Sequence, residues 1–256
     1  MGSSISRIAA GVAAVAFTLF SAAAGAADLK VFSTTAFTEL WHELKPKFEA
    51  RGHKLELVLQ PSGALSKRIG VGETGDAIVS TSAGVDGLAK NGKIAAGTAR
   101  TLASSSMGVA VLKGAPKPDL STPEKFRAAL LAAKSVAYSD PAGGGASGAY
   151  LVKLLERLGI AEQVNAKAKL GRGIPNAEFL VKGESDLAIQ QIPELLVVSG
   201  VDIVGPFPPE LNNITGFATA VLSSSANAAA AKELVDFLAS PETIALLKAR
   251  GFDIAK

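Results

Sequence analysis

The chain contains no cysteine. Disulfides, cysteine-ligated zinc or iron–sulfur centres and a cysteine nucleophile are therefore excluded. So is the lipid-bearing cysteine of a bacterial lipoprotein. Histidine is scarce, with only His42 and His53, which excludes a histidine-rich metal site and leaves the metal expectation at none. Neither sign of charge dominates: 26 basic residues face 23 acidic ones, for a formal net charge of +3. No basic block stands out, so nucleic acid is not an expected partner. The motifs G-x-S-x-G and H-E-x-x-H are missing. No glycine-rich loop ends in the Gly-Lys-Ser/Thr of a phosphate-binding P-loop. Beyond the first residues no apolar run reaches the ~20 residues of a bilayer span. The alanine run Ala228 to Ala231 is short and leads into Lys232, Glu233 and Asp236.

What is present is apolar and long enough to fold. The 256 residues are 48% hydrophobic, which argues against a disordered chain and supplies a sizeable core for one or two domains. The opening segment is a special case. Met1 to Arg7 is short and ends in a positive charge, Ile8 to Phe20 is apolar, and small residues run from Ser21 to Ala27. This is the layout of a secretory signal over residues 1–26, with cleavage after Ala26 or Ala27. An uncleaved anchor is the alternative. Export without a lipid anchor or a span points to a freely diffusing periplasmic protein.

Strands and helices alternate along the rest. Leu29–Phe32, Lys54–Gln60, Asp76–Ser80, Met107–Leu112, Ser135–Tyr138, Leu187–Gln190, Val201–Val204 and Ile214–Leu222 read as strands. Helices are expected from Phe37, where Pro46 is a candidate kink, and from Ala64. Others are expected at Val85–Lys90, Thr122–Ala133, Ser147–Leu158, Pro175–Lys182, Asn227–Leu238 and Pro241–Arg250. This alternation implies an α/β fold with mainly parallel sheets, and the length suggests two lobes.

Several strands end in a short Ser/Thr/Gly turn that opens a helix. The instances are Ser33-Thr34-Thr35, Pro61-Ser62-Gly63, Thr81-Ser82-Ala83, the run Gly143 to Ser147 and the run Gly171 to Pro175. Free N–H groups at helix starts, with nearby hydroxyls, bind anions. In open α/β sheets such turns lie at the carboxyl ends of strands, where ligands sit. Ordinary capping is the other reading of any single turn. Gly143, Gly145 and Gly148 form a G-x-G-x-x-G, but no strand ending in an acid follows ~20 residues later, so a dinucleotide is not expected. Asp140 reads as a turn cap. Arg172, between Gly171 and Gly173, is the strongest cationic candidate. No catalytic residue is assigned and no cofactor is expected.

An ordered set of stretches carries a family resemblance. It comprises Val31 to Thr38, Gln60 to Ile69, Gly75 to Ser80, Tyr138 to Pro141 with Ser147 to Tyr150, and Phe237 to Pro241 with Gly251-Phe252. With these, the chain from residue 27 on resembles the molybdate-binding-protein-like family of periplasmic solute-binding proteins. The resemblance implies a two-lobed periplasmic-binding-protein-like fold with a two-strand hinge. Lobe 1 would hold residues 27–106 and 212–256, and lobe 2 residues 107–211. It also implies a monomer that binds a small anion between the lobes and delivers it to an inner-membrane ABC transporter. The family's two lobe-1 serines fall at Thr35-Ala36 and at Ser62 or Gly63. Its lobe-2 amides fall near Ser147 and Gly173-Ile174. A family tyrosine is replaced by Gln190-Gln191.

The expected ligand-binding residues are thus Thr34, Thr35, Ser62, Gly63, Thr81, Ser82, Ser147, Arg172, Gly173, Gln190 and Gln191. Arg172 and the two glutamines suit a planar carboxylate better than a tetrahedral oxyanion, which favours an organic carboxylate over molybdate. The alternative function is an exported, cofactor-independent enzyme on the same scaffold, such as an aconitate isomerase. A third is a sensor or partner-binding module that uses the same cleft.

Overall fold

Buried side chains alternate along the opening strand. Leu29 and Val31 face one core and Phe32 faces another, so both faces of that strand are covered. The computed structural model describes residues 26–143 and 146–254. The export segment lies outside the described residues apart from Ala26, as do Gly144 and Gly145. The first stretch comprises β1 (Asp28–Thr34), α1 (Thr38–Glu49), β2 (Lys54–Gln60), α2 (Ser62–Gly70), β3 (Ala77–Thr81), α3 (Ser82–Lys90) and β4 (Arg100–Ser105). Next come β5 (Met107–Leu112), α4 (Pro123–Ala132), β6 (Val136–Ser139), α5 (Ala146–Arg157), α6 (Ala161–Asn165) and β7 (Ala168–Gly171). They are followed by α7 (Glu178–Val181), β8 (Leu187–Gln191), α8 (Ile192–Leu196) and β9 (Val201–Pro206). The chain closes with β10 (Thr215–Val221), α9 (Ala228–Leu238) and α10 (Pro241–Ala249).

Two five-stranded sheets result, in the orders β2-β1-β3-β10-β4 and β7-β6-β8-β5-β9. Strands β1, β2 and β3 are parallel neighbours, as are β6, β7 and β8. The expectation of mainly parallel sheets needs one refinement. β10 runs antiparallel to β3 and β4, and β5 runs antiparallel to β8 and β9, so the sheets are mixed. The reason is topological. β5 and β10 are the strands by which the chain enters one sheet from the other. Ser106 alone joins β4 to β5, and residues 207–214 join β9 to β10.

Helices cover both faces of each sheet. On the first sheet, α1 buries Leu40, Trp41, Leu44 and Phe48 against Val31 and Val79. The opposite face packs Phe32 and Ile78 on Leu65 of α2 and Val85 of α3. On the second sheet, Val109, Val136 and Ile189 meet Phe126 and Leu151. At the centre of the other face lie Ala110, Ala137 and Ala188, which lets Leu180 of α7 and Leu195 of α8 approach closely, with Val201 and Ile203 of β9 packed beside them. A Cβ on Gly108 would meet Cγ1 of Ile192 at 2.5 Å, so glycine is required there for α8 to seat.

Pro46 lies inside α1, which continues past it to Glu49. One expectation is corrected. The expected helix Pro175–Lys182 contracts to Glu178–Val181, because Asn176 is held in a loop. Its backbone N–H donates to Gln190 Oε1 at 2.7 Å and its Nδ2 to Ile189 O at 2.9 Å. Strands β4 and β7 and helices α6 and α8 are additions. Gly148 has a packing role, since a Cβ there would lie 2.2 Å from Ser139 O. Gly148→Ala should therefore destabilise the fold by about 1–3 kcal/mol, read as a clear drop in thermal unfolding midpoint. An unchanged midpoint would contradict this packing.

Candidate functional site

The carboxyl ends of β1, β3, β6, β7 and β8 open onto a single cleft of about 970 Å³, its open mouth included. Four expected residues line it from the first sheet. Thr34 ends β1, Thr35 starts the 3-10 turn that follows, Ser62 opens α2, and Thr81 precedes α3. Five more line it from the second: Ser147, Arg172, Gly173, Gln190 and Gln191. Gly63 and Ser82 do not line the cleft. Gly63 follows Ser62 on α2 and is rotated from the wall by the helical step. Ser82 faces β10, where its Oγ lies 2.8 Å from the position a Cβ on Gly216 would take.

The hydroxyls are placed so that several retain a free proton. Thr81 Oγ1 accepts the Gly84 N–H at 3.2 Å as the cap of α3, which leaves its O–H to donate. Ser139 Oγ accepts from Ser147 Oγ at 3.2 Å and from Asn176 Nδ2 at 3.1 Å, and its own proton is likewise available. Beneath the first wall, Trp41 Nε1 donates to Ser33 Oγ at 2.7 Å and ties β1 to α1. Gln190 Oε1 takes the Asn176 N–H, while Gln191 Oε1 is buried without a partner among the described residues.

The helix starts add a fixed positive field. Acidic residues are favoured in a helix first turn, where they offset the macrodipole, and α4, α6, α7 and α10 each carry a glutamate there. Of the helices that start on the cleft wall, α1 carries Glu39 and α8 carries Glu194, while α2, α3 and α5 carry none. α9 shares that absence and does not line the cleft.

Four charged side chains reach the wall: Glu39, Asp140, Arg172 and Glu194. Asp140 is the turn cap expected from the sequence, with Oδ1 accepting the Ala142 N–H at 2.9 Å. Its Oδ2 also accepts Arg172 Nε at 2.8 Å. The Ala142 N–H, and after it Arg172, hold the Asp140 carboxyl below its ordinary value. Arg172 is thus partly neutralised, but its side chain is 80% exposed and its terminal nitrogens have no partner among the described residues. Glu39 is exposed near His42. His53 sits elsewhere, against Glu233 and Phe48. Among the described residues, no three His, Cys, Asp or Glu side chains gather as a metal centre would need.

Glu194 escaped the sequence reading. It is the third residue of α8, in a strand–Gln–x–Pro–Glu arrangement that is a recognisable helix start. Burial pushes its carboxyl up to about 7, against the opposing pull of the Gln191 N–H and the Gln190 side chain.

The model of the bacterial extracellular solute-binding protein family matches residues 29–253. An aconitate isomerase from a Pseudomonas species is 33% identical over 251 residues, covering 95% of this chain and 94% of that protein. The molybdate-binding protein ModA of Azotobacter vinelandii is 27% identical, covering 99% of this chain and 100% of that one. The solved structure of the periplasmic molybdate-binding protein of Azotobacter vinelandii superposes with a TM-score of 0.71 at 21% identity, over 89% of this chain and 100% of that chain. The two mixed sheets flanked by helices agree with that likeness in fold. The chain belongs to the bacterial extracellular solute-binding protein family, in agreement with the solute-binding resemblance read from the sequence.

Proposed function

We propose that this protein binds a small organic anion with two or more carboxylates in the cleft. In this reading residues 1–26 direct export, and the protein works in the periplasm as a monomer. The lobes would be residues 27–106 with 212–256, and residues 107–211. They close on the ligand about the two crossings and present it to an ABC transporter. One observation carries the ligand class. Three helix starts without a first-turn acid converge on a cleft of about 970 Å³ from both sheets. Separate donor groups on facing walls suit a ligand with several anionic ends. The exposed fork of Arg172 and the Gln190 and Gln191 amides support a planar carboxylate.

The test is a thermal-shift panel of molybdate, tungstate, sulfate, phosphate and di- and tricarboxylates. Stabilisation grows with ligand concentration over Kd, reaching about 2.7 kcal/mol at 100 Kd. Arg172→Ala should weaken carboxylate binding about 10-fold or more, through loss of charge-assisted hydrogen bonds, while Arg172→Lys should recover part of it. Unchanged affinity in Arg172→Ala would remove that residue from the site.

The second reading is catalytic. The 33% identity to an aconitate isomerase across 95% of the chain favours it. A cleft that holds an unsaturated tricarboxylate beside one acid–base group needs no cofactor to shift a proton. Conversion of trans-aconitate to cis-aconitate by the purified protein, followed by NMR, separates this reading from binding alone.

A further inference from the structure

We infer that Glu194 is the proton-moving group of the cleft, able to carry a proton between two carbons of an unsaturated polycarboxylate. This rests on the polycarboxylate reading above. Of the four charged groups on the wall, Glu194 is the one placed for such a task. Asp140 is committed to the Ala142 N–H and to Arg172. Glu39 is exposed at the start of α1. Both histidines and both tyrosines are off the wall; the tyrosine hydroxyls are engaged with Asn165 and with Leu211 O. Glu194 is half-buried and has no cationic partner among the described residues, only the Gln191 N–H and the Gln190 side chain.

Its helix is held from two sides. Ile192 packs on Gly108, and the Ile192 N–H donates to Ser106 O at 3.0 Å. Gly251 packs against Leu196 and Pro193 from the other side. The elements around α8 bring few charges. β5 and β8 carry none, β9 carries Asp202, and Arg250 and Asp253 flank Gly251. Asp202 is bound to the Gly114 N–H and Arg250 to Glu43. Asp253 approaches Ser106 Oγ. None of these forms an ion pair with Glu194. With its carboxyl near pH 7, both protonation states are populated at neutral pH, as general acid–base work requires.

The step balances within the ligand and this one residue. The Glu194 carboxylate takes a proton from a CH₂ that lies between a carboxylate and a C=C bond. The C–H electron pair becomes the new C=C bond, and the old one shifts its pair to the far carbon. That carbon then takes the proton back from the Glu194 carboxylic acid. The double bond has moved one carbon, and no oxidant or reductant is involved. Donors at Ser62, Ser147 and Arg172 would hold the carboxylates where negative charge accumulates.

The experiment uses the full mature chain in D₂O with trans-aconitate, followed by ¹H NMR for cis-aconitate and for deuterium at carbon. Binding is read in parallel by thermal shift with tricarballylate, a saturated tricarboxylate that cannot isomerise. Wild type should turn over. Glu194→Gln keeps the capping geometry and should lose about 10²–10⁴-fold in rate, while its tricarballylate stabilisation remains within a few-fold. The kcat of wild type should rise with pH, with its midpoint above 7 because the bound anion pushes Glu194 up further. If Glu194→Gln turns over as wild type does, the assignment falls and the polycarboxylate reading survives. If wild type is stabilised by tricarballylate but never converts trans-aconitate, the proton-moving role is overturned and binding alone stands. If no tricarboxylate stabilises wild type, the reading beneath the inference fails with it.

Discussion

Ser62→Asp is expected to abolish anion binding while leaving the protein folded. Ser62 is the first residue of α2, 8% exposed, on the cleft wall. A carboxylate there would sit at the positive end of a helix whose first turn holds no acid and whose last turn holds Lys67 and Arg68. The macrodipole favours that charge by about 0.3–1 kcal/mol, so the fold should be maintained or slightly strengthened. The ligand would experience the opposite. Two like charges ~4 Å apart repel by about 4 kcal/mol at an effective dielectric of ~20, which corresponds to roughly a thousandfold in affinity. Ser62→Ala removes only one hydrogen bond to a charged group, worth about 1.5–3 kcal/mol, and should cost roughly 10–150-fold. Calorimetric titration of both variants with a tricarboxylate checks the order. Wild-type affinity in Ser62→Asp would place the anion elsewhere.

The second large effect is on pH dependence. Affinity for a fully ionised tricarboxylate should fall as pH rises through about 7, the point to which burial has pushed Glu194. Below it Glu194 is neutral and can donate its O–H to the ligand; above it a bare carboxylate faces the anion. Where binding requires the protonated form, Kd rises up to about tenfold per pH unit beyond that point. The free protein should follow the same sign. Burial raises the folded-state value from the ordinary 4.5, so the contribution is fully present below 4.5 and lost as pH rises to about 7. Glu194→Gln removes both slopes. The neighbouring wall charges, Asp140 and Arg172, change little in this window: Asp140 is held below its ordinary value, and guanidinium remains charged. A pH-independent Kd between 6.5 and 8.5 in wild type would contradict this account of Glu194.

What the sequence made legible was local. The turns after β1, β2, β3 and β6 announce themselves because Ser, Thr and Gly must follow a strand and cap a helix within a few residues. Those turns supplied Thr34, Ser62, Thr81 and Ser147 on the wall. What stayed hidden depends on distant residues. Arg172 reads as an unengaged cation until the register of β6 with β7 pairs Ser139 with Gly171. That pairing puts Asp140 beside it across 32 positions of sequence. Glu194 sits in an apolar stretch and on a helix of only five residues, too short for periodicity to reveal. Its helix is seated through Ile192 on Gly108 of β5, far away in sequence. β4 is half-polar in sequence, and β7 is mostly unburied at the edge of its sheet; their partners define them. Ser82 and Gly63 share the composition of their neighbours, but Gly63 is turned off the wall by the helical step and Ser82 faces Gly216 of β10.

The central claim is that this cleft selects an organic polycarboxylate. Parallel calorimetric titrations of the mature protein with tricarballylate and with molybdate test it most directly. The account predicts saturable one-site binding of tricarballylate that Ser62→Asp removes, with molybdate at least 100-fold weaker. Tight molybdate binding with no heat from tricarballylate would contradict it.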